Sequence, residues 1–171
     1  MSRTQYVLGW SDRIAMDEFS LADLTELTKS KRRSVQLWAE AGVIQAEHST
    51  DRAGTGTHRR FSRDEATLAC LIAGLTRHFH LPIGVLLQVS DSIRRTAALR
   101  MMFDIAVKKR RPCYLVVQPA NIEDDQRFRV STVSGVDEEN AAQALAKTLI
   151  GAGSAVAVLR INGHLAALSE T

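Results

Sequence analysis

The sequence predicts a mainly α-helical amino-terminal part followed by a small α+β module. Three observations lead there. Residues 19–61 read as a short helix, a basic turn, a second helix and a turn-rich loop closing on His58-Arg59-Arg60-Phe61. Residues 62–111 keep a helical apolar spacing, whereas residues 113–168 carry the strong strand patterns. Charge divides at the same place: residues 1–111 hold 18 Lys and Arg against 12 Asp and Glu, residues 112–171 only 4 against 7. A cation excess confined to the helical half points to a nucleic-acid partner for that half.

Composition narrows the classes. The chain of 171 residues is 45% hydrophobic and 24% charged, ordinary for a globular protein. No run approaches the roughly 18 apolar residues of a membrane span, so no membrane partner is expected. Residues 1–18 have no clear period and read as an amino-terminal arm, without the pattern of a secretory signal. Cys70 and Cys113 lack the spacing of a zinc site or a disulfide framework. The expected compartment is the reducing cytoplasm, in association with the nucleoid.

Ser20-x-x-Asp23 has the form of a capping box, with Leu21, Leu24 and Leu27 on one face of the helix behind it. Lys29-Ser30-Lys31-Arg32-Arg33 follows, with Ser30 as the expected N-cap of a second helix that carries Val35, Leu37, Trp38 and Ala41 and stops at Gly42. Helix-dipole physics disfavours cations at a helix start, so this run implies anions that meet it, and phosphates fit. Val43 and Ile44 read as a short strand, residues 48–57 as a loop tip with Gly54 and Gly56 free to take positive φ, and Arg59-Arg60-Phe61 as the returning strand. The GTGT run lacks the Lys-Ser/Thr ending of a phosphate-cradling nucleotide loop.

Ser62 and Glu65 make the strongest capping-box signal, ahead of an apolar helix in which Cys70 packs as a small hydrophobe. His78 and His80 stand at its end, two residues apart and so on different faces, which suits capping or surface placement rather than metal binding. Pro82 opens a helical pattern that runs to Arg111 before Pro112. Unbroken, residues 83–111 span about 43 Å at about 1.5 Å per residue, and one apolar stripe of that length implies a second copy. A break near Ser90–Ser92 is the alternative. Lys108-Lys109-Arg110-Arg111 reads either as a complement to the helix C-terminus, the favoured reading, or as another phosphate-facing patch.

Residues 113–118 and 128–133 read as strands, 140–150 as a helix with acids at its start, and 155–161 as a third strand. Asn162-Gly163 signals a tight hairpin, with 165–168 returning as a fourth strand and His164 exposed beside the turn. Glu123-Asp124-Asp125 lacks the spacing of a calcium loop and reads as solvated. No Ser/His/Asp or Cys/His constellation is present, so no enzyme, cofactor or metal is expected.

The stretch 20–90 resembles the MerR family of bacterial transcription regulators. Leu24, Leu27, the segment from Ser34 to Ile44, the segment from Thr57 to Glu65, and His80-Leu81-Pro82-Ile83 carry the resemblance, over about half the chain. It implies a winged helix-turn-helix that binds as a homodimer to near-palindromic double-stranded DNA and distorts it. By the resemblance, Lys31, Arg32, Arg33, Ser34 and Gln36 lie on the recognition helix. His58, Arg59 and Arg60 lie on the wing, with Arg52 near its tip. Ile93, Ala97, Met101 and Ile105 lie on the antiparallel dimerisation helix. Gln36 departs from the family's arginine, a change that favours adenine over guanine. Leu37, Ala39 and His58 also depart from the pattern, and the metal-sensing cysteine loop is absent.

The expected architecture is therefore a mainly α winged helix-turn-helix (19–90), a long dimerisation helix (91–111) and a small α+β module (112–171) without an assigned role. The expected function is a dimeric, sequence-specific transcription regulator. The alternatives are an excisionase-like or architectural DNA-bending factor, or a sensor that takes a small-molecule or protein effector on its carboxy-terminal module.

Overall fold

The computed structural model describes residues 18–47, 50, 59–96, 98–120, 127–150, 152 and 155–168. The arm at 1–17, Arg52, Gly54, Gly56, His58, Ala97 and the acidic run at 123–125 lie outside the described residues. Among the described residues, seven helices and two small antiparallel sheets form an α+β fold.

Local capping fixes the first helix. β1 (Glu18–Ser20) leads into α1 (Leu21–Thr28), where the Asp23 N–H donates to Ser20 Oγ at 3.2 Å and the Ser20 N–H to Asp23 Oδ2 at 2.7 Å. Both halves of the capping box are thus made. Lys29 turns the chain in the left-handed region (φ 49°), and α2 (Arg32–Glu40) follows. Leu24, Leu27, Val35 and Trp38 close the two helices over α3 (Arg63–Phe79), whose residues 66–75 are all buried. No helix among the described residues is long and apolar enough to cross a membrane.

Three expectations are corrected in this half. Ser30 does not cap α2: its hydroxyl donates back to the Thr28 carbonyl at 3.3 Å, and Lys31 takes the N-cap position. Val43 and Ile44 form no strand, because both N–H groups are taken by the Trp38 carbonyl (2.8 and 3.2 Å) behind Gly42 at φ 77°. The returning strand β2 (Arg60–Ser62) instead pairs with β1, setting Phe19 opposite Phe61 in the core.

The long helix is also corrected. Residues 83–111 divide into α4 (Ile83–Arg95), α5 (Ala98–Phe103) and a widened turn (Asp104–Lys108). The first break falls at Thr96, whose hydroxyl turns back to the Ile93 carbonyl at 2.8 Å. α5 then folds back against α3 and α4, so Ile93, Leu99, Met102 and Ala106 fill the chain's own core. The stripe that implied a second copy is consumed intramolecularly. Of the dimerisation candidates, Ile93 is fully buried, Ile105 packs half-buried on the same core, and Met101 is 50% exposed.

In the carboxy-terminal part, β3 (Cys113–Pro119) lies between β4 (Phe128–Ser134) and β5 (Ala157–Arg160), antiparallel to both. Cys113, Leu115, Val117 and Leu159 join the core of the helices. On the other face Val116 and Val133 are buried beneath α6 (Glu138–Ile150), which packs along β4 through Ala141. Gly135 is required there, since a Cβ would stand 2.2 Å from the Ala141 nitrogen.

The expected hairpin at Asn162-Gly163 is replaced by α7 (Asn162–Leu165) and a short 3-10 turn (Ala166–Leu168) packed on α3. Asn162 Oδ1 accepts from the Cys113 N–H at 3.0 Å, while its Nδ2 donates to the Ala106 and Arg111 carbonyls at 3.1 and 2.8 Å. One of those carbonyls lies inside the widened turn and the other just after it. An amide carries both donor and acceptor and satisfies all three groups at once. His164, expected to be exposed, is half-buried against α3, its ring 5.5 Å from that of His78.

Candidate nucleic-acid interface

The amino-terminal turn of α2 is open. Lys31 at the N-cap makes no side-chain capping bond, as its ammonium offers no acceptor. The positive end of the helix dipole therefore lies beside the side chains of Lys31, Arg32 and Arg33, all exposed. Among the described residues none of these three cations is held in an ion pair. Elsewhere most arginines have structural work. Arg77 caps the Thr28 carbonyl at 2.9 Å, Arg160 pairs with Glu138, and Arg94 pairs with Glu65.

The faces of α2 follow from its period. Val35 and Trp38 point inward and are buried. Arg33, Gln36, Leu37 and Glu40, spaced three and four residues apart or adjacent, share the outward strip. Gln36 is partly exposed within that strip. Ser34 lies on the opposite edge and is half-buried, outside the strip that carries the other recognition-helix candidates. Leu37, grouped from sequence with the apolar run of this helix, is 45% exposed. Its period position on the side away from Val35 and Trp38 was the signal that could have placed it.

The described residues at the base of the expected wing are tied to one another. The Glu47 N–H donates to the Arg60 carbonyl at 2.8 Å, and the Arg60 N–H donates to Thr50 Oγ1 at 3.0 Å. Arg60 is exposed on β2 and Arg59 half-buried with its Nε turned inward; Arg52 and His58 lie outside the described residues. This base is anchored from below. Arg94 Nη2 donates to the Val43 carbonyl at 2.7 Å, and the Gln45 N–H donates to Glu65 Oε2 at 2.8 Å. Sequence reading missed Arg94 and misassigned Glu65. The Ser62 hydroxyl does accept from the Glu65 N–H (3.3 Å), but the Glu65 carboxylate turns to Arg94 and Gln45, so the expected box is half-made.

The cations after α5 are arranged differently. Lys108 pairs with Asp104 at 2.8 Å and holds its carboxyl below the usual range. Arg63 and Lys108 lie over the Phe103 ring in an open cleft of about 760 Å³, where Arg100 also pairs with Asp64 at 3.4 Å. Lys109, Arg110 and Arg111, likewise exposed, are in no ion pair among the described residues. Among the described residues, no three His, Cys, Asp or Glu side chains gather as a metal cage. No protein-family model matches this chain, and no curated protein matches it.

Proposed function

We propose that this chain is a sequence-specific binder of double-stranded DNA and acts as a transcription regulator of MerR-like type. The observation that carries the reading is the uncapped, unpaired basic turn that starts α2, joined to an outward strip able to reach base edges. Lys31 and Arg32 position the helix on phosphates. Arg33 and Gln36 reach into the major groove, and Arg60 meets the backbone from the wing. Two copies on a near-palindrome complete the reading, with half-sites about 10 base pairs or a multiple apart. Their contact does not run through a long helix, and Met101 on α5 is the described dimerisation candidate with an exposed apolar side chain.

The test is selection of duplexes from a random-sequence pool by the full chain, followed by footprinting and titration over a range of salt. The expected result is an enriched two-fold motif. Arg32→Ala then weakens binding to all duplexes and lowers the salt slope by about one, whereas Arg33→Ala relaxes the sequence preference at one position of each half-site. Equal binding of all duplexes overturns the regulator in favour of an architectural factor. No binding at low salt overturns DNA recognition altogether.

A further inference from the structure

We infer that Leu37 reads thymine methyl groups, so that the site under α2 is built on A·T pairs. The inference rests on the DNA-binding reading above and names what that surface selects.

Leu37 is 45% exposed on a helix whose other large apolar side chains, Val35 and Trp38, are 0% and 3% exposed. A lone exposed leucine is ordinary on a protein surface. What distinguishes this one is its company on the outward strip: Arg33 one turn before, Gln36 beside it and Glu40 three residues on. A protein partner recognised through Leu37 would need a contiguous apolar patch, and the strip offers a single apolar side chain between polar ones. The unpaired cations at the start of α2 favour an anionic partner instead.

The major groove of duplex DNA joins a polyanionic rim to one isolated apolar group, the thymine C5-methyl. The adjacent Gln36 amide has the donor and acceptor that match adenine N7 and N6. Two neighbouring side chains on one strip thus favour the same base pair by independent chemistry, one through hydrogen bonds and the other through methyl contact. A hydrophobic contact to the methyl does not depend on salt, so it adds discrimination without adding to the counterion term.

The test uses the duplex selected from a random pool by the full chain, with uracil replacing thymine at one position at a time. Uracil keeps every hydrogen-bonding group and removes only the methyl. At one or two positions per half-site, uracil is expected to weaken binding about fourfold, the value of one buried methyl group. Leu37→Ala is expected to bind the thymine duplex more weakly and to be indifferent to uracil at those positions. An unchanged affinity at every uracil position overturns the inference while DNA binding stands. A uracil penalty that survives in Leu37→Ala does the same. Failure of the native chain to select or bind any duplex overturns the DNA-binding reading, and this inference with it.

Discussion

Arg94 and Glu65 form a two-pronged ion pair, with Arg94 Nε 2.8 Å from Glu65 Oε1 and Nη2 3.0 Å from Oε2. Twenty-nine residues apart in sequence, they join α4 to the first turn of α3. The same two side chains hold Val43 and Gln45, in the segment that leaves α2. Both are mostly withdrawn from solvent, at 18% and 13% side-chain exposure. This pair therefore ties the segment that follows α2 to both α3 and α4.

Removing the guanidinium leaves a shielded carboxylate and the Val43 carbonyl without their partner. Arg94→Ala is expected to cost about 2–4 kcal/mol in urea unfolding. Arg94→Lys is expected to restore less than half of that, since an ammonium cannot span both carboxylate oxygens and the carbonyl. On DNA, Glu65→Gln is expected to lose protection beneath the wing before protection beneath α2. Equal loss at both places would show that the pair supports general stability only.

Asn162 is a second long-range junction. Its amide serves the Cys113 N–H and the carbonyls of Ala106 and Arg111 around the widened turn. Asn162→Ala is expected to destabilise the chain by about 2–3 kcal/mol. Asn162→Asp keeps the acceptor, loses both donor bonds and sets a charge against two carbonyls, so it is expected to be at least as damaging. A urea midpoint unchanged in both variants would show that water replaces these bonds.

His164 gives the fold an acid-sensitive contact. Burial first, then the neighbouring His78 and Arg77, holds its pKa below the ordinary 6.5. Gly74 is part of the reason: a Cβ there would meet His164 Cε1 at 3.0 Å, so glycine lets the imidazole approach α3. Between the lowered folded value and 6.5 the unfolded chain binds more protons than the folded one. This stability is fully present above 6.5 and is lost as pH falls through the folded value. Melting temperature is expected to drop as pH falls below 6.5 toward the lowered folded value, with a shallower slope for His164→Gln. An identical slope in the variant would assign the acid sensitivity to other groups.

The two thiols are expected to be inert in the folded chain. Burial pushes Cys70 up to about 12. Burial likewise raises Cys113 to about 11, against a lowering hydrogen bond from the Tyr114 backbone. Cys70 borders a cleft of about 290 Å³, so geometry alone does not exclude a small reagent. The scarcity of thiolate does. Iodoacetamide labelling at about pH 8, read by mass spectrometry, is expected to follow unfolding for both residues. Rapid labelling of Cys70 without denaturant would contradict its protonated, buried state.

Sequence alone determined what is set within a few residues. The helix of Leu21, Leu24 and Leu27 with its Ser20–Asp23 cap, the positions of α2 and α3, and the β3 and β4 strands depend on short-range spacing and capping, and they stand where that spacing put them. The basic turn ahead of α2 was legible for the same reason: a run of cations at a helix start is visible in one dimension. Tertiary structure decided everything that required a distant partner. It paired β2 with β1, where the sequence pointed to Val43 and Ile44. It broke the expected long helix, because the back of α3 offered Ile93, Leu99 and Met102 a core within the same chain. It turned Asn162 from a hairpin residue into a bridge, took Glu65 from its cap to Arg94, and left Leu37 facing outward. Periodicity tells how many faces a helix has; which face stays open is settled only when the other elements have packed against it.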